Sequence, residues 1–243
     1  MVISDKNKYV FIEMIRTGST AISAELCELY DGRKILNKHS YYHEFLKIAT
    51  EEEKKYFVFV GCRNPMDMVV SGYLKLKTDH LGRYSDPKQW RRNGGTITDK
   101  NLKIYNDIKE NELTFKKYLK KYYKLPYSNT SIINNKDADY VIRFENIQED
   151  FKQVLGKLNI EQIRDIPVKN KTKEKEDFWK YYTKDVQSYA LYVFGPIMKK
   201  FGYKFPDDWS NKKPGIVSDF LFAASVFAKQ AYWRNAKNNS LPD

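Results

Sequence analysis

Tyr9-Val10-Phe11-Ile12-Glu13-Met14-Ile15-Arg16-Thr17-Gly18-Ser19-Thr20 is the stretch that decides the architecture. Its first four residues are β-branched or aromatic and lack a helical period, which predicts a short buried strand. From residue 21 to 30 the apolar positions Ile22, Leu26 and Leu29 follow helical spacing, and Asp31-Gly32 ends the helix. A strand, a tight loop and a helix start form an arrangement that receives a phosphate. The unbonded N–H groups of the first helical turn and the helix dipole replace water around the anion. Gly18 lets the backbone approach closely, Ser19 and Thr20 add hydroxyls, and Arg16 adds a charged fork. Taken alone, an ordinary capped helix after a strand explains these residues better.

What is absent narrows the choice. A Walker A loop needs Lys immediately before its last Ser or Thr, and Ser19 stands there instead. The cation comes two residues before the glycine. An ATP-plus-magnesium loop is therefore a poor match, and a P-loop-like, metal-free relative a better one.

A second element repeats the logic. Residues 56–60 (Tyr-Phe-Val-Phe-Val) read as the clearest strand, and Arg63 leaves its tip. Asn64, Pro65 and Asp67 suit the first turn of the helix that follows, and Ser71 lies about two turns inside it. Arg63 and Ser71 could then face one anion, unless Arg63 merely pairs with Asp67. Further strands are expected at 35–36 and 140–144, and helices at 42–50, 113–123, 147–158, 178–201 (interrupted at Gly195-Pro196) and 217–233. Residues 78–110 read as a polar insertion or lid, 168–177 as a Lys-rich loop and 206–215 as a linker. The alternation predicts an α/β fold, three-layer α/β/α with a central parallel sheet. In such sheets ligands bind beyond the carboxyl ends of the strands, where Gly18 and Arg63 both fall.

Composition sets the outer bounds. The 243 residues suffice for one α/β domain with a full core. A net charge of +12, mostly scattered Lys, favours an anionic partner without naming it. Tyrosine is abundant, and most of it reads as filling a half-wet core. The two cysteines, Cys27 and Cys62, have no metal-ligand spacing and fit a reduced compartment. No stretch reaches the length of a membrane span. The polar start predicts no signal peptide, hence a cytoplasmic protein.

With both anion elements in place, the sequence resembles the PAPS-dependent sulfotransferase family, in its carbohydrate-type and bacterial branch. The family's 5′-phosphosulfate loop looks like residues 15–20, with Arg16 where many members carry Lys and Ile15 where Pro is common. Its 3′-phosphate motif looks like Arg63-Asn64-Pro65-x-Asp67 through Ser71 and Tyr73. Lys38-His39 to Glu44, Arg143-Phe144-Glu145-Asn146 and Asn170-Lys171-Thr172 to Tyr181-Tyr182-Thr183 extend the likeness. It covers about residues 8–205, which implies a sulfotransferase domain over 1–205. Residues 206–243 would then be a linker and a C-terminal amphipathic helix packing on the domain or a partner.

The resemblance implies a donor, 3′-phosphoadenosine 5′-phosphosulfate (PAPS), a product, adenosine 3′,5′-bisphosphate, and no metal. Arg16, Thr17, Gly18, Ser19 and Thr20 would hold the phosphosulfate, with Arg16 stabilising the transferring group. Arg63 and Ser71 would hold the 3′-phosphate, and Lys171 and Lys173 would close over the nucleotide. His39 is the leading candidate for the base that takes the acceptor proton, with Glu44 and Glu13 as rivals. The acceptor would carry a free hydroxyl, as in a glycan or small metabolite. Nucleic acid is not expected, and peripheral membrane contact through the last helix stays open. Two other readings compete: a magnesium-dependent nucleotide kinase or phosphotransferase, and a non-catalytic polyanion binder.

Overall fold

The computed structural model describes residues 1–129, 138–167, 177–209 and 215–235. The chain divides into two compact units, Met1–Asn64 with Ser128–Lys171 and Val226–Asp243, and Pro65–Tyr127 with Thr172–Ser225.

The first unit is built on a five-stranded sheet ordered β3-β1-β2-β4-β5. Its strands are β1 (Val2–Ser4), β2 (Tyr9–Ile12), β3 (Arg33–Lys34), β4 (Phe57–Cys62) and β5 (Tyr140–Arg143). β2, β4 and β5 run parallel, whereas β1 is antiparallel to both β2 and β3. The expected parallel sheet is thus corrected to a mixed one. The cause is β1, which the polar opening of the sequence concealed. It pairs Val2 with Phe11 and Ser4 with Tyr9, a tight hairpin that only an antiparallel pair can make. The strand expected at 35–36 is displaced to Arg33–Lys34; Ile35 still donates its N–H to the Met1 carbonyl, and Leu36 then turns away at φ 54°.

Both faces of the sheet are apolar, and residues alternate between them with the period of a strand. Val2, Tyr9, Phe11 and Phe59 pack with Ile22 and Leu26 of α1 (Ser19–Leu29) and with Phe151, Val154 and Leu155 of α6 (Ile147–Lys157). Ile3, Val10, Ile12, Val58 and Val60 pack with Phe45 of α2 (Tyr42–Ile48). Helices on both faces leave the ends of the parallel strands as the open place for a ligand.

The second unit holds α3 (Pro65–Lys77), α4 (Asp99–Glu110), α5 (Phe115–Tyr122), α7 (Lys184–Lys200) and the start of α8 (Ile216–Asn235). Many of the tyrosines are its core. Tyr73, Phe115, Tyr118, Tyr182 and Phe194 form a chain of ring contacts. The buried hydroxyls find carbonyls: Tyr73 donates to Leu113 at 2.7 Å and Tyr182 to Met66 at 3.0 Å. Burial pushes the Tyr182 phenol well above its ordinary range. The polar stretch 78–110 includes α4, whose start Thr98 caps by accepting the Asn101 N–H.

The interruption expected at Gly195-Pro196 does not occur, and α7 runs through both residues. Pro196 has no N–H to offer the carbonyl four residues earlier. That carbonyl, of Tyr192, accepts the Ser218 hydroxyl at 2.5 Å instead. α8 buries Ser218 and Phe222 and exposes Ile216, Phe220 and Phe227. Among the described residues no helix is long and apolar enough to cross a membrane.

Candidate active site

The loop from Glu13 to Gly18 leaves the carboxyl end of β2 and opens α1. Gly18 sits at φ 76°, and a Cβ there would come within 2.7 Å of Ile147 Cδ1 and 3.2 Å of Phe144 Cδ2. Glycine is required on both counts. The loop is tied from inside. The buried Thr17 and Ser19 hydroxyls both donate to the Met14 carbonyl, at 3.0 and 2.7 Å. In this state neither has its hydroxyl proton for an anion; what Gly18, Ser19 and Thr20 offer is the backbone N–H of a helix start. Thr17 is further wedged against β4, where a Cβ on Gly61 would lie 2.4 Å from its Oγ1.

Arg16 is exposed and holds φ 63°. A non-glycine residue in this region costs about 1–3 kcal/mol. The Arg63 Nη1 donates to the Arg16 carbonyl at 3.1 Å, and a charge-assisted hydrogen bond of about 1.5–3 kcal/mol is of the size to offset that strain. The Arg63 guanidinium lies 4.2 Å from the centre of the Phe144 ring. Its neighbour Asn64 donates its N–H to Glu145 Oε1 at 2.7 Å.

His39 completes the group. Its φ is 70°, and its Nδ1 lies 3.0 Å from the Glu13 carbonyl oxygen at the foot of the loop. A carbonyl can only accept, so Nδ1 carries the proton and the neutral ring keeps its lone pair on Nε2. Burial lowers the His39 pKa; the Glu13 bond opposes this and the neighbouring Lys38 charge reinforces it. The ring is therefore neutral at pH 7. Lys38 itself donates to the Thr20 hydroxyl at 2.9 Å, which puts an ammonium at the start of α1.

The rivals for the base have other work. Glu13 is buried and its Oε2 lies 2.7 Å from the Met1 ammonium. Glu44 Oε2 accepts the Tyr41 N–H at 2.6 Å as the third-position partner of a capping box at the start of α2. The structure thus brings Arg16, Thr17, Gly18, Ser19, Thr20, His39 and Arg63 together in the first unit. Ser71 is buried on α3 of the second unit, and Lys171 and Lys173 lie outside the described residues. Among the described residues no group of three or more His, Cys, Asp or Glu side chains could hold a metal ion.

Sequence reading missed the bracing by Phe144, Glu145 and Gly61. Strand register would have exposed it, because Cys62 pairs with Arg143 and the residues just beyond each strand end must meet.

A nucleotide with a 5′-phosphosulfate fits these residues. The loop is a cradle of backbone N–H groups at a helix start, and Lys38 adds an ammonium beside Thr20. The model of the Sulfotransferase family matches residues 1–197. No curated protein and no solved structure matched the chain. With that match over most of its length, the chain belongs to the sulfotransferase family, whose usual sulfuryl donor is PAPS.

Proposed function

We propose that this sulfotransferase moves a sulfuryl group from PAPS to a hydroxyl or amine of an acceptor, a carbohydrate or small alcohol, with His39 as the base. The observation that carries the reading is the His39–Glu13 hydrogen bond. It leaves a basic nitrogen on a ring anchored to the same loop that would take the phosphosulfate.

The donor, when bound, supplies the sulfuryl group and a stable phosphate leaving group. Arg16 and the N–H groups of Gly18, Ser19 and Thr20 stabilise the negative charge that grows on the leaving 5′-phosphate as the S–O bond breaks. His39 Nε2 takes the acceptor proton as the new S–O or S–N bond forms in line with the old one. Arg63 holds the 3′-phosphate and so fixes the donor's register. Glu44, already capping α2, is the weaker candidate for the proton.

A panel of glycans, lipids and small alcohols with radiolabelled PAPS tests the reading. Wild-type protein should label at least one acceptor, and His39→Ala should not, while still binding adenosine 3′,5′-bisphosphate as before. Equal labelling by His39→Ala removes His39 from the mechanism.

A further inference from the structure

We infer that Arg63 also positions Arg16: its guanidinium shapes the loop for the 5′ end of the donor besides holding the 3′-phosphate. This rests on the donor reading above. The carbonyl that Nη1 grips belongs to Arg16, the residue held at φ 63°. A left-handed arginine persists only where its surroundings hold it there, and this bond is one such hold. The Phe144 ring beneath the guanidinium is also one of the side chains that a Cβ on Gly18 would strike. Arg63, Phe144 and the Arg16–Gly18 turn thus form one contiguous packed group. A change at Arg63 reaches the turn without passing through any ligand.

Two functions of one side chain can be separated with a donor that lacks one end. Adenosine 5′-phosphosulfate has no 3′-phosphate, so a residue that only held that phosphate would not affect its binding. Arg63→Met removes every N–H donor while keeping a side chain that packs on an aromatic ring. Calorimetry with adenosine 5′-phosphosulfate should show it binding Arg63→Met about tenfold or more weakly than wild type. Adenosine 3′,5′-bisphosphate should lose more.

Arg63→Lys keeps the charge and serves where the Met variant fails to fold. It should recover part of the bisphosphate affinity, yet kcat at saturating PAPS should stay low, because a point charge does not replace the planar fork. Unchanged affinity for adenosine 5′-phosphosulfate and unchanged saturating kcat, beside weakened bisphosphate binding, would overturn the inference and leave the donor reading intact. Wild-type protein that bound neither nucleotide would overturn the donor reading itself.

Discussion

His39 Nδ1 meets the backbone carbonyl of Glu13 at 3.0 Å, so the residue that would take a proton is aimed by the main chain of the loop that would hold the donor. The contact separates two properties of the side chain. An asparagine at position 39 can offer its amide N–H to the same carbonyl, and it tolerates the φ of 70° better than most residues. It lacks a basic nitrogen. His39→Asn is therefore expected to keep its thermal midpoint and donor affinity while kcat falls by about 10²-fold or more. Turnover near the wild-type level would move the base elsewhere.

The lowered His39 pKa fixes the direction of the pH profile. With His39 as the proposed base, the free base would be the active form, so kcat/KM should rise as pH increases through that pKa and be level above it. Half of the plateau should be reached below the ordinary histidine value of about 6.5, and His39→Asn should lose this limb. Stability has a matching sign. As pH falls below the ordinary value, the unfolded chain binds a proton that folded His39 does not yet take, so acidification destabilises the fold. Denaturant midpoints read across that range check it.

Gly18 and Gly61 are expected to fail for different reasons. Gly18→Ala forces a side chain onto a left-handed position and against Ile147 Cδ1, so it should distort the cradle and weaken donor binding by about tenfold or more. Gly61→Ala drives a methyl into Thr17 inside the sheet face. Overpacking of that kind costs about 1–3 kcal/mol, measurable as a lower denaturant midpoint.

Glu44 offers a clean choice between proton carrier and cap. Because its carboxylate accepts the Tyr41 N–H, Glu44→Gln should keep the capping contact and turnover within a few-fold, whereas Glu44→Ala should lose about 0.5–2 kcal/mol of stability. Loss of turnover in Glu44→Gln with an unchanged fold would make it the base.

Much of this was legible in the sequence for a physical reason. β2 and the first four residues of β4 are short runs of Val, Phe, Tyr and Ile, and both strands are largely buried on two faces, so composition alone marked them. Gly18 and Arg63 followed from their positions at strand ends. β1 was not legible, since three residues give too short an alternation to read and its partner lies across a hairpin. The sheet's mixed sense was lost with it. Pro196 misled because the group that rescues its helix, the Ser218 hydroxyl, is 26 residues from Tyr192. The bonds of Thr17 and Ser19 to Met14 were equally hidden, because a hydroxyl in a loop gives no sign of which way it donates.

The central claim, that the Arg16–Thr20 loop and Arg63 take the two ends of an adenosine nucleotide that is anionic at both its 3′ and 5′ ends, is tested most directly by thermal unfolding in a chelator. At a hundred times its Kd, adenosine 3′,5′-bisphosphate should stabilise the protein by about 2.7 kcal/mol, a rise in Tm of roughly 5–10 °C for a chain of this size. ATP with magnesium should produce much less. A rise with ATP and magnesium, and none with the bisphosphate, would contradict the account.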